Sequence, residues 1–85
     1  MEWQLYSFVV RSKQRKAIIL ALRTPMTPTE IGHKTDIRPS HVSRTLSEFK
    51  EKGLVTCLTP EAKIGRVYEL TKAGKEVLAE LESKS

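Results

Sequence analysis

Residues 27–53 read TPTEIGHKTDIRPSHVSRTLSEFKEKG, and the punctuation of this stretch sets out two helices joined by a tight turn. Thr27 stands as an N-cap, Pro28 takes the first helical position and Glu30 the third, the spacing of a capping box. This helix is short. Ile31 points inward, and the helix stops near Lys34 or Thr35. Thr35-Asp36-Ile37-Arg38 then turns the chain, with Ile37 plugging the core. Pro39 again sits at a first helical position, so a second helix starts there and runs to about Lys52, where Gly53 supplies a left-handed cap. Val42, Leu46 and Phe49 fall at i, i+4 and i+7, one apolar stripe. Ser40, Arg44 and Ser47 fall roughly opposite, with His41 and Ser43 on the flanks.

After Gly53 the period changes. Leu54–Leu58 and Val67–Leu70 are β-prone runs. Between them lies Thr59–Arg66, TPEAKIGR, with Pro60 and Gly65 as turn residues. The pair forms a hairpin with a long, basic tip. Thr71 then caps a last helix, Lys72 to about Glu82, on which Val77, Leu78 and Leu81 share a face. Ser83, Lys84 and Ser85 are expected to fray.

Upstream, Ser12 caps a helix from about Lys13 to Arg23 that turns Ile18, Ile19 and Leu22 toward the core. Leu20 lies on another side. Thr24-Pro25 ends that helix, because a proline pushes its predecessor out of the α region. Its early turns are basic (Arg11, Lys13, Arg15, Lys16), and no acid occurs between Glu2 and Glu30. The first eleven residues hold three of the chain's five aromatics, Trp3, Tyr6 and Phe8. Leu5, Phe8 and Val9 would line a helix, while Tyr6, Phe8 and Val10 alternate as in a strand. Either way these side chains cap the core or meet another subunit.

Eighty-five residues make one domain, with residues 12–82 as its core and 1–11 as an aromatic N-terminal segment. A chain this small buries limited surface, which favours a dimer. A hydrophobic fraction of 39% and a charged fraction of 29% fit a soluble globular class. The net charge of +5 suits a polyanion or an acidic surface. The single cysteine, Cys57, allows no intrachain disulfide and fits a reducing, cytoplasmic setting. With His33 and His41 it has no zinc spacing, so neither a metal nor a cofactor is expected. The start of the chain lacks the pattern of a signal peptide, and the apolar run Ala17–Leu22 is far below a membrane span. No phosphate loop, paired-carboxylate motif or nucleophile–base constellation points to an enzyme.

The order is therefore helix, helix, helix, hairpin, helix: an α+β, mostly α winged helix-turn-helix, with a three-helix core, a two-stranded wing and a C-terminal helix. The segments TPTEI, RPSHVSRTLSEFKEKGLV and GRVYELTKAGKEVL resemble the archaeal and bacterial winged helix-turn-helix regulators, including the MarR-like group, over about Ser12–Leu81. The resemblance implies double-stranded DNA binding and transcriptional control. Full-length MarR proteins are longer, and their additional dimerisation helices are not expected within these residues.

In a helix-turn-helix the second helix lies in the major groove with its N-terminal part against the bases. That assigns base contact to Ser40, His41, Ser43, Arg44 and Ser47. Arg44 has the fork that pairs with guanine O6 and N7. Phosphate contacts fall to Thr27, Thr29, Arg38, Lys50 and Arg15. In the wing, Lys63 and Arg66 flank Gly65 at a flexible tip suited to a minor groove or the adjacent backbone. Glu48 and Glu51 repel phosphates, so only the first two turns of the helix are expected to enter. The N-terminal segment, the Leu20 side of the first helix and the last helix are expected to join two copies. The alternative is the same fold serving as a protein-interaction module. RNA binding is weaker, since few aromatics stand on a polar face to stack on bases.

Overall fold

The computed structural model describes residues 1–84; the expectation for Ser85 lies outside them. Five helices and one two-stranded antiparallel sheet follow in the order α1 (Trp3–Val10), α2 (Lys13–Ala21), α3 (Pro28–Thr35), α4 (Pro39–Glu51), β1 (Val55–Cys57), β2 (Tyr68–Leu70) and α5 (Lys72–Ser83). This is the winged-helix arrangement.

The N-terminal segment is a helix, not a strand. Val9 is fully buried, and Leu5, Tyr6, Phe8 and Val10 pack half-buried against the core. Ser12 breaks the path between α1 and α2 and accepts a hydrogen bond from the Arg15 amide at 3.3 Å. α2 ends at Ala21, two residues before the expected Arg23. Pro25 excludes Thr24 from the helix, and the last turn tightens ahead of it, with the Leu22 amide shared between the Ile18 and Ile19 carbonyls. Beyond this end, the Arg23 Nε donates to Glu82 Oε2 at 2.7 Å and ties α2 to α5.

The capping box is present in full: the Thr27 Oγ1 accepts from the Glu30 amide and the Glu30 carboxylate accepts from the Thr27 amide. α3 stops at Asp36, which takes a left-handed conformation at φ 60°. α3 and α4 pack closely because residue 32 is glycine. A Cβ there would lie 2.8 Å from the Ile37 carbonyl oxygen. On α4 the stripe of Val42, Leu46 and Phe49 is fully buried, and Thr45 joins it. With Ile18, Ile19, Leu22 and Ile31 it forms the centre of the core, closed below by Leu54, Val55, Leu70, Val77 and Leu81.

Gly53 turns the chain out of α4 at φ 77°. β1 and β2 then pair with Val55 opposite Leu70, Thr56 opposite Glu69 and Cys57 opposite Tyr68. Both strands are shorter than the β-prone runs that contain them. Pairing continues one step outward, where the Leu58 amide donates to the Val67 carbonyl at 2.7 Å. Met26 joins the sheet as an isolated antiparallel bridge, exchanging two backbone hydrogen bonds with Tyr68 at 3.0 and 2.8 Å. That bridge ties the loop before α3 to the wing. Thr71 caps α5 by accepting from the Gly74 amide. Among the described residues, no helix is long and apolar enough to cross a membrane.

Candidate nucleic-acid interface

Three elements converge on one open groove: the start of α3, the outer face of α4 and the wing. Its lining is Pro28 and Thr29, then Pro39, Ser43 and Ser47, then Lys63, Gly65, Arg66 and Tyr68, around a volume of about 510 Å³. Six of the residues expected from the sequence to touch a ligand therefore share one surface: Thr29, Ser43, Ser47, Lys63, Gly65 and Arg66. The Met26–Tyr68 bridge explains the convergence. It fixes the root of the wing to the residue just before the cap of α3.

Ser40, His41 and Arg44 are exposed on α4 outside the groove lining. At 100° per residue, Ser40, Arg44 and Ser47 stand within about 60° of each other, opposite the buried stripe. Ser43 leans from them toward the wing, and His41 toward the other side. The N-cap position of α4 is Arg38, whose side chain makes no capping hydrogen bond. Its carbonyl accepts from the His41 and Val42 amides at 2.9 Å each. The exposed Arg38 lies in a second shallow surface with Thr29, His33 and Asp36. This places it beside the α3 start. Lys50 is exposed in the last turn of α4, near the exposed Glu48 and Glu51.

Two expected contacts are otherwise engaged. The Thr27 hydroxyl is held in the capping box. The Arg15 guanidinium sits over the Phe8 ring, 3.9 Å from its centroid, and donates to the Phe8 carbonyl at 3.0 Å. Lys52 approaches the same ring at 5.0 Å, and Phe8 meets Phe49 edge-on with centroids 6.2 Å apart.

The wing tip is braced from inside. The Thr59 hydroxyl accepts from the Val67 amide at 3.0 Å, and the Thr59 carbonyl from the Ala62 amide at 3.0 Å. The Arg66 Nε donates to the Ala62 carbonyl at 2.7 Å. Gly65 has φ 70°, a conformation that disfavours any side chain. Arg66 thus shapes the turn while its guanidinium remains on an exposed residue. Two features of this surface were not assigned from the sequence. Tyr68 lines the groove, a placement foreshadowed only by its position in β2. Ile64 projects from the tip, 91% exposed.

The HVO_A0261 N-terminal domain model matches residues 3–84, nearly the whole chain. The chain belongs to that family. The chain shares its fold with solved winged-helix proteins. The reduced form of MarR from E. coli superposes with a TM-score of 0.78 at 20% identity, covering 94% of this chain and 61% of that one. A MarR family transcriptional regulator from Silicibacter pomeroyi gives 0.73 at 21% identity, covering 94% and 56%. TubR bound to 24 bp of tubC, from Bacillus thuringiensis serovar israelensis, gives 0.78 at 11% identity, covering 96% and 92%. The MarR-like resemblance read from the helix-turn-helix and wing segments is borne out at the level of fold. This domain spans less than two thirds of each of those MarR-type chains. Among curated proteins, none matches it.

Proposed function

We propose that this domain is a sequence-specific, double-stranded DNA-binding transcriptional regulator. The observation that carries the reading is the shared groove: Ser43 and Ser47 of α4, Thr29 of α3, and Lys63 and Arg66 of the wing face one space. A duplex meeting that surface would take the first two turns of α4 in its major groove. Arg44 and Ser40 would then meet base edges, flanked by His41 and Ser43. Thr29 and Arg38 would hold the adjacent phosphates, and Lys63 and Arg66 would grip beside or within the neighbouring minor groove. Glu48 and Glu51 would lift the far end of α4 away. Lys50 stands at that departing end. Arg15 is left out of the interface, because Phe8 holds its guanidinium. The TubR structure, whose fold covers nearly all of this chain, holds 24 bp of DNA and supports the same use.

The domain would work as a homodimer in the cytoplasm. Trp3 is 60% exposed on α1, which is the kind of large apolar surface that a second copy would cover. α1 lies beside the start of α5, where Met1, Glu2 and Leu5 face Lys72, Ala73 and Glu76 across a shallow surface. Pairing through α1, α2 and α5 would leave both α4 helices facing outward.

Selection of bound sequences from random duplexes tests this reading. The expected result is a pseudo-palindrome whose half-sites lie about one helical turn apart. Recovery of no enriched sequence would reject specific readout, and recovery of an asymmetric single half-site would reject the dimer.

A further inference from the structure

Ile64 is the most exposed large apolar residue among the described residues: 91% of its surface faces solvent, against 60% for Trp3 and 47% for Leu58. It stands at the end of a braced hairpin, between Lys63 and the left-handed Gly65. Nothing in the fold requires an aliphatic side chain there. The braces come from Thr59, Ala62 and Arg66, and the Ile64 side chain touches none of the core. At 91% exposure the side chain is as solvated as in the unfolded chain, so it contributes almost nothing to folding.

We propose that Ile64 is a specificity-determining residue of the wing, an apolar wedge that enters the minor groove of bound duplex DNA and selects A·T over G·C pairs there. The inference rests on the DNA-binding reading above and adds to it a residue and a base preference. Three observations carry it. The neighbours Lys63 and Arg66 supply positive charge on both sides of the tip, which suits the phosphate walls of a narrow groove. Lys63, Gly65 and Arg66, on either side of Ile64, line the groove shared with α3 and α4, while Ile64 itself projects beyond that lining into solvent at the end of the hairpin. The side chain is β-branched, with few rotamers to lose on insertion.

The base preference follows from the chemistry of the groove floor. A·T pairs present only acceptor atoms there, whereas G·C adds the guanine 2-amino donor. An aliphatic group pressed against that donor strips it of water and offers no acceptor in return. Over A·T the same contact displaces water from a narrower groove and leaves no donor unsatisfied.

The test uses the duplex recovered by selection, with the pairs beneath the wing set to A·T, G·C or inosine·C. Inosine lacks the 2-amino group. Wild-type protein should bind the A·T and inosine·C duplexes alike and the G·C duplex about tenfold more weakly. Ile64→Ala should bind the A·T duplex roughly tenfold more weakly than wild type, given partial burial of the three carbons removed. It should lose the difference between the three duplexes, keep the wild-type dependence on salt, and melt at the wild-type temperature. Lys63→Ala, by contrast, should flatten the salt dependence and keep the base preference. If Ile64→Ala retains both the affinity and the A·T preference, the wedge is wrong, while Arg44→Ala still reports separately on readout by α4. If wild-type protein binds no duplex above background, both the wedge and the DNA reading fall.

Discussion

The Arg15 guanidinium closes the end of α1 by donating to the Phe8 carbonyl at 3.0 Å while lying 3.9 Å from the centroid of the Phe8 ring. The Phe8 carbonyl belongs to the last turn of α1, where carbonyls lack intrahelical donors. One side chain thus supplies a hydrogen bond and a cation–π contact to a helix that would otherwise rest on Val9 and its half-buried neighbours. Arg15→Ala should lower unfolding stability by about 1–2 kcal/mol. Arg15→Lys should recover little of it, since an ammonium lacks the planar fork. Neither variant should change the salt dependence of duplex binding. Urea unfolding beside a salt titration checks both points.

The glycines Gly74 and Gly53 should differ sharply on replacement by alanine. A Cβ at Gly74 would lie 2.2 Å from the Leu54 carbonyl oxygen and 3.0 Å from Leu70 Cδ2. That oxygen accepts from the Thr71 amide at 3.0 Å, so it cannot retreat without breaking the entry to α5. Gly74→Ala should cost on the order of 3 kcal/mol. Gly53 has φ 77° but open space around its Cβ position, so Gly53→Ala should cost only about 1 kcal/mol of backbone strain. Thermal melts of the two variants give the ranking directly. Equal losses would mean that close packing at Gly74 does not limit stability.

The Thr27 hydroxyl serves the capping box, and the same threonine lies near the proposed interface. Thr27→Ala should destabilise the domain by about 1 kcal/mol, equivalent to a fall of roughly 4–8 °C in melting temperature for a domain of this size. Thr27→Ser keeps the oxygen and should restore most of it. If Thr27→Ser restores stability and duplex affinity together, the cap accounts for both. An affinity loss that persists in Thr27→Ser would point to a direct contact by the missing methyl.

Lys63 and Arg66 line the groove between the wing, α3 and α4, and in the proposed reading they are the second grip on the backbone. Each charge removed should lower the slope of log affinity against log salt by about 0.9. Lys63→Ala and Arg66→Ala should therefore weaken binding to every duplex by similar factors. Arg66→Ala should also loosen the tip, because its Nε holds the Ala62 carbonyl. Hydrogen exchange across residues 59–66 should rise in Arg66→Ala and stay unchanged in Lys63→Ala.

The parts of this fold that were legible in the sequence are those written by local chemistry. Proline at a first helical position occurs at Pro28 and Pro39, threonine caps stand at Thr27 and Thr71, and glycine follows α4 at Gly53. Each fixes a boundary through its own backbone preference, and each boundary appears where expected. The buried stripe of Val42, Leu46 and Phe49 was equally plain, because helical period alone selects it. Long-range contacts were not legible. The Met26–Tyr68 bridge joins residues 42 positions apart in the chain, and no local signal marks Met26 as a strand. Arg15 read as a phosphate ligand because its neighbours are basic; the ring that holds it comes from α1, whose type the residue pattern left open between helix and strand. Ile64 was visible as part of the tip sequence, but its exposure depends on how Thr59 and Arg66 brace the turn.

Base readout by the first two turns of α4 is the claim on which the rest depends, and Arg44 is its sharpest point. The most direct measurement is the ratio of affinities for the selected duplex and for a duplex changed at one guanine, taken for wild type and Arg44→Ala at one salt concentration. A bidentate arginine–guanine pair predicts that wild type discriminates at that guanine by about 1–3 kcal/mol. Arg44→Ala should bind the selected duplex more weakly and lose the discrimination at that position alone. If Arg44→Ala keeps wild-type affinity and base preference at every guanine of the site, α4 does not read the duplex through Arg44, and the account is contradicted.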